Sequence, residues 1–396
     1  HDRDSLNVGM PEFMKVAAHE IATTPLEVWK PYLKHHLLSA AANHLDGKFF
    51  AEAFAFNSKL SGQRVPLPRW KRCSAEADFA MGEALGQAYV ATNFTPAAKA
   101  RALELVNNLQ ATMRERIGKV EWMSDATRAR ALEKLNIVLK KIGYPDKWRD
   151  YTALRVSRDS SYAINAKQAI AFETVRNLNQ IDKPVDRNEW GMSPPTVNAY
   201  YNPLVNEIVF PAGILQPPNF DASADDAFNY GGIGMVIGHE ITHGFDDQGR
   251  QFDAQGNLRE WWTADDAKKF TQRAQKVVDQ YNSYVAVDTL HVNGQLTLGE
   301  NIADLGGITI AYYAYQRSLE GKPRQIINGL TPEQRFFLGY GQAWRRKLRP
   351  ETEKLRTLTD PHSPAHWRVD GPLSNLPEFA RAWGCKGGDG MVRADQ

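Results

Sequence analysis

Two histidines four residues apart, with a glutamate directly after the first, sit in an apolar run as His239-Glu-Ile-Thr-His243. On a helix this spacing carries both imidazoles to one face, where they can bind a single Zn²⁺. Glu240 then lies beside the metal, and a carboxylate there can take a proton from a zinc-bound water whose acidity the metal has raised. An HExxH string arises by composition in a chain of this length about once in a hundred, so the motif needs support from elsewhere.

That support is Gly299-Glu300-Asn-Ile-Ala-Asp304, which falls on another predicted helix with Glu300 and Asp304 on one face. A catalytic zinc takes three protein ligands and one open position, and its histidines usually donate their second N–H to a carboxylate. Glu300 is the candidate third ligand, Asp304 the candidate partner of one imidazole, and Asp246 that of the other; the plainer reading of both aspartates is solvated helix acids. His19-Glu-Ile-Ala-Thr23 begins the same way but lacks the second histidine, so a surface helix segment is expected there. The metzincin arrangement is excluded because Asp246 and Gly249 stand where its glycine and third histidine would be, and Asn229-Tyr-Gly-Gly-Ile-Gly234 is not a P-loop because no Gly-Lys-Ser/Thr follows it.

The remaining composition narrows the function class. The 48 basic and 46 acidic residues leave a net charge of +2, so no global field draws nucleic acid or an anionic membrane, and Arg345-Arg346-Lys347 reads as a solvated helix face. No apolar run reaches the roughly 18 to 20 residues of a membrane span. Cys73 and Cys385 are the two cysteines, too distant in sequence for a CxxC site; two buried thiols or one long-range disulfide both remain open. The opening His1-Asp-Arg-Asp4 has neither an initiator Met nor a signal sequence, and reads as a processed, trimmed or internal start.

The expected fold class is mainly α with a small β-sheet (α+β). From about Pro11 to Ile142 the pattern is helical, with stripes at Ala102, Val106, Leu109, Met113 and Ile117 and at Leu132, Leu135, Leu139 and Ile142. Thr95-Pro96 starts the first of this helix pair, and Gly143 with Pro145 is expected to end the second. A loop over 144–161 precedes a helix near Ala163 to Asn179; a hairpin is expected from 196–201 and 207–210, with Asn202-Pro203 between its strands. Helices follow near 225–245, 263–285, 297–319 and 331–348, the last opened by a capping box, Thr331-Pro-Glu-Gln334. The soft boundary near 160 divides a helical region, 1–160, from a catalytic region, 161–396.

These residues resemble the neprilysin and endothelin-converting-enzyme family of zinc peptidases, including its bacterial oligopeptidases. The likeness runs through Val197-Asn-Ala-Tyr-Tyr201, Ile208 to Pro218, Asn229 to Asp247, Leu298 to Asp304, and Pro361-His-Ser-Pro364 with Arg368. Weaker similarity in Pro68 to Cys73 and Lys141 to Pro145 covers the first half. The resemblance implies a thermolysin-like zincin lobe facing a helical lobe, of which this chain holds part, across a closed cavity that admits oligopeptides. It implies one zinc per chain on His239, His243 and Glu300, with Glu240 as base and Asp304 among the catalytic residues. Asn198 and Ala199 would hold the substrate backbone as an added strand. His362 and Arg368 would stabilise the tetrahedral intermediate and grip a substrate carbonyl, where the plainer reading is ordinary loop residues. Ile214, Val236 and Trp344 would line the pocket for a hydrophobic residue after the scissile bond, although an apolar pocket wall and a core residue look alike in sequence.

The family's large N-terminal part and its C-terminal tail ending in tryptophan have no counterpart between His1 and Gln396, so a further N-terminal segment is expected to close the cavity and to partner the cysteines. An extracytoplasmic location is implied with it. The expected function is endopeptidase cleavage of oligopeptides on the amino side of hydrophobic residues, without nucleic acid or a membrane span. A catalytically silent zinc-binding receptor or scaffold and a one-residue-trimming exopeptidase are the rivals.

Overall fold

The computed structural model describes residues 8–393, so the termini at His1 and Gln396 lie outside the described residues. The first half is helical: α1 (Pro11–Thr23), α2 (Leu26–Ala41), α3 (Gly47–Ser61), α4 (Arg69–Asn93), α5 (Pro96–Gly118) and α6 (Asp125–Asn136). Thr95 and Ser124 cap α5 and α6, each hydroxyl accepting the backbone N–H three residues on. The stripe Ala102, Val106, Leu109 and Ile117 is buried, as its helical spacing predicts.

The second stripe is only half right. Leu132 and Leu135 lie on α6, but the helix stops at Asn136, and Leu139 and Ile142 belong to a strand, β1 (Leu139–Gly143). Apolar positions three apart fit either element over so short a run. What decides is a partner: β1 runs parallel to β3 (Glu207–Pro211), which supplies its ladder, and buried Lys141 pairs with Glu207 across it at 2.6 Å. Gly143 does end an element, but the element is that strand, and its φ of +81° favours glycine.

Helix α7 (Tyr162–Leu178) follows the expected loop. The expected hairpin is β2 (Tyr200–Asn202) antiparallel to β3, giving a three-stranded sheet in the order β1-β3-β2 with β2 at an edge. Because β1 precedes position 160, the β1–β3 ladder crosses the expected boundary, and the main core joins Leu105 and Leu109 of α5 to Ile237, Ile308 and Tyr340.

Then come α8 (Asp226–Asn229), a π-helical turn over Tyr230–Gly234, and α9 (Met235–His243), continuous as the expected long helix. Helix α10 (Ala264–Asn282), the small ribbon β4 (Val285–Val287) with β5 (Leu290–His291), α11 (Leu298–Ser318) and α12 (Pro332–Ala343) complete the middle of the second half. Thr331 and Gln334 form the expected capping box. Helices α13 (Pro350–Thr359), α14 (Trp367–Leu373) and α15 (Pro377–Trp383) close it. The molecule is mainly helical with small sheets. Cys73 and Cys385 are free thiols.

Candidate metal centre

Helices α9 and α11 meet through glycine. A Cβ added at Gly238 would lie 2.7 Å from the Gly307 carbonyl oxygen, and one at Gly307 would lie 2.7 Å from the His239 nitrogen. With no side chain at either point the two backbones touch, and the functional side chains of both helices fall within reach of one another.

The Nε2 atoms of His239 and His243 stand 2.9 Å apart. Glu300 of α11 brings Oε2 to 3.2 Å from the first and Oε1 to 3.7 Å from the second. On the far side of each ring, the Nδ1–H of His239 donates to Asp304 (2.8 Å) and that of His243 to Asp246 (2.6 Å). These bonds fix the tautomer, leaving both Nε2 lone pairs aimed at the space they share with the Glu300 carboxylate. Two lone pairs and a carboxylate converging in a buried place repel unless a cation joins them, and this nitrogen and oxygen set suits Zn²⁺. Burial alone opposes a positive charge on the His239 imidazole, yet Asp304 and Glu300 outweigh it and raise the ring's affinity for positive charge above that of a free imidazole.

Glu240, one position after the first histidine, is buried, and its ligand-capable oxygen lies within 4.8 Å of those of His239 and His243. Burial raises its carboxyl above the ordinary carboxylate range. The residues present therefore fit a zinc ion, with a buried acid at its flank.

The C-terminal segment folds onto the same point. His362 sets Nε2 at 3.3 Å from Glu300, while its Nδ1–H donates to Asp360 at 2.6 Å and its backbone N–H to the same oxygen at 2.9 Å. Arg368 forks onto Asp304 with two bonds of 2.7 Å and reaches Glu300 at 3.3 Å. Desolvation disfavours the Asp304 charge, but the Arg368 guanidinium and His239 overcome it and hold the carboxyl below its usual range. The Arg368 side chain lies 4.1 Å over the Trp344 ring, which thus serves as its shelf.

The remaining expected residues lie outside this hydrogen-bonded set. Asn198 is exposed and Ala199 buried, in the segment leading into edge strand β2, which packs on α9. Ile214 belongs to the main core, and Val236 and Trp344 pack against it. Asp360 was not foreseen; an acid two residues before His362 was the available signal. His19 is exposed on α1.

Residues 198–396 match the profile of peptidase family M13, and residues 1–145 match a second profile of the same description. Endothelin-converting enzyme 1 of Rattus norvegicus is 39% identical over 394 residues, covering 96% of this chain and 51% of that protein. Neprilysin-1 of Caenorhabditis elegans is 44% identical over 353 residues, covering 86% and 47%. The chain thus spans about half the length of the curated relatives it matches. Among solved structures, the Mycobacterium tuberculosis zinc metalloprotease Zmp1 in complex with an inhibitor superposes with a TM-score of 0.93 at 45% identity, over 98% of this chain and 59% of that one. PepO of Lactobacillus rhamnosis gives 0.81 at 34% identity, over 90% and 55%.

Proposed function

This chain belongs to peptidase family M13, and from that premise we propose that it carries the catalytic centre of a zinc-dependent endopeptidase that cleaves oligopeptides before hydrophobic residues. The observation that carries the reading is the convergence of His239, His243 and Glu300, with each imidazole backed by an aspartate and with Glu240 buried alongside. In this reading those three residues hold one zinc ion, which when bound supplies a Lewis acid that polarises the scissile carbonyl and acidifies water. Glu240 takes the proton released as water attacks the carbonyl carbon and passes it to the leaving amine. Its buried position favours the first step, because a carboxylate with a raised affinity for protons is a better base.

His362, oriented by Asp360, donates to the oxyanion. Arg368, held by Asp304 and Trp344, grips a substrate carbonyl. The open edge at β2, entered through Asn198 and Ala199, takes the substrate as a further strand, since an edge strand has unpaired backbone groups to offer. Ile214, Val236 and Trp344 form the pocket for the side chain after the cleaved bond. An extracytoplasmic setting, and a further segment of the same protein completing the cavity, belong to the same proposal.

Metal analysis together with a quenched-peptide assay, run with and without chelator and followed by product mapping, tests it. One zinc per chain and chelator-sensitive internal cleavage are expected. Zinc without hydrolysis would make the protein a silent receptor, and release of single terminal residues would make it an exopeptidase.

A further inference from the structure

Lys134, on helix α6 in the first half of the chain, is 1% exposed. Its ammonium donates three hydrogen bonds, each of 2.7 Å, to the carbonyl oxygens of Gly244, Gly249 and Phe252. All three donors of the group are thereby used, and every acceptor belongs to the segment that leaves α9 directly after His243. The rings of Tyr201, Phe245 and Trp261 stand 5.7 to 5.8 Å from the nitrogen and exclude water from it.

The same segment carries Asp246. One oxygen of Asp246 accepts the His243 Nδ1–H at 2.6 Å, and the other accepts the backbone N–H groups of Gln248 (2.9 Å) and Gly249 (2.6 Å). Gly249 is therefore gripped twice, by Asp246 through its N–H and by Lys134 through its carbonyl. One buried cation thus gathers carbonyls from three points of an irregular loop. The carbonyl of Gly244 is also the C-cap carbonyl of α9, where a cation is favourably placed.

We propose that Lys134 is a positioning residue for the metal centre: its ammonium shapes the 244–252 segment so that Asp246 holds the His243 ring in its ligating orientation. The inference rests on the zinc reading above. It also gives α6 a role in the chemistry although no α6 residue reaches the site; separately from the ammonium, the Lys134 carbonyl accepts a hydrogen bond from Asn206 in the β2–β3 turn at 3.0 Å.

The test measures zinc affinity by chelator competition in the intact protein for wild type, Lys134→Met and Lys134→Gln, with circular dichroism and melting recorded for each. Partners behind a metal ligand typically contribute about 10- to 100-fold in affinity, so a loss of about 10-fold is expected for these variants. In an Asp246→Asn background the lysine substitution should add little, because the path through Asp246 is already cut. Asn206→Gly, which releases the same helix end while leaving the ammonium in place, serves as the control for general loosening and should melt lower with near wild-type zinc affinity. Unchanged affinity in the folded lysine variants overturns the proposal. So does an undiminished loss in the Asp246→Asn background, or an equal loss in Asn206→Gly. Should neither lysine variant fold, the wild-type Lys134 ammonium resonance, observed by nitrogen-15 NMR, should shift on zinc removal; an unmoved resonance refutes the coupling. Failure of the wild type itself to bind zinc refutes the parent reading instead.

Discussion

Replacing Gly307 by alanine places a methyl group 2.7 Å from the His239 nitrogen, 2.8 Å from the Met235 carbonyl oxygen and 3.0 Å from the His239 Cα. All three are backbone atoms of α9, so no side-chain rotation relieves the clash. Ordinary contacts of carbon lie near 3.5 to 4.0 Å, so α11 must retreat from α9 by about 0.7 to 1 Å at this point. Metal ligands tolerate about 0.2 Å of displacement, and Glu300 and Asp304 ride on the retreating helix. Overpacking of this kind typically destabilises by about 1 to 3 kcal/mol, and the site should lose zinc affinity beyond that general effect. Urea denaturation of the apo protein and chelator competition on the folded protein measure the two separately. Gly307→Ala with unchanged zinc affinity and stability within about 0.5 kcal/mol of wild type would refute the claim that glycine contact sets the ligand spacing.

Glu240→Gln should keep its zinc yet lose at least about 100-fold in turnover on a quenched peptide, since removing a general base costs about that much or more; near-normal hydrolysis would remove Glu240 from the mechanism. Asp360→Ala frees the His362 ring and should lower kcat more than it raises KM, and a pure KM effect would make His362 a substrate-holding residue. Asp266 is buried and accepts from Ser124, Thr127 and Thr263, tying together the starts of α6 and α10. Desolvation opposes its charge, but these donors prevail and hold its pKa below the ordinary 3.8. A carboxylate depressed in the folded state stabilises it above the unfolded pKa, and that contribution fades as pH falls through the folded value. Asp266→Asn should therefore be less stable at pH 7 and lose less stability than wild type on acidification below about pH 4, read by melting against pH; parallel curves would refute it.

Local periodicity made much of this site readable. Residues four apart on a helix share a face whatever surrounds them, so His239 and His243, and likewise Glu300 and Asp304, could be paired from the sequence, and Thr331 and Gln334 likewise as a capping box. Asp246, three residues after His243, was within reach only because it is so near in sequence, since it lies past the end of α9 in the turn that follows. Spacing could not decide Leu139 and Ile142, which fit a helix until Glu207–Pro211 offered β1 a ladder. Nor could it tell that the Trp344 ring lies beneath Arg368, that Asp360 turns back onto His362, or that the lysine at 134 reaches into the loop after α9. The helix periods are dictated by bonds within a few residues, and the chain states them directly. The ammonium's three carbonyls, the arginine's shelf and the strand's partner lie on segments that meet only when the core closes, so tertiary packing alone decided them.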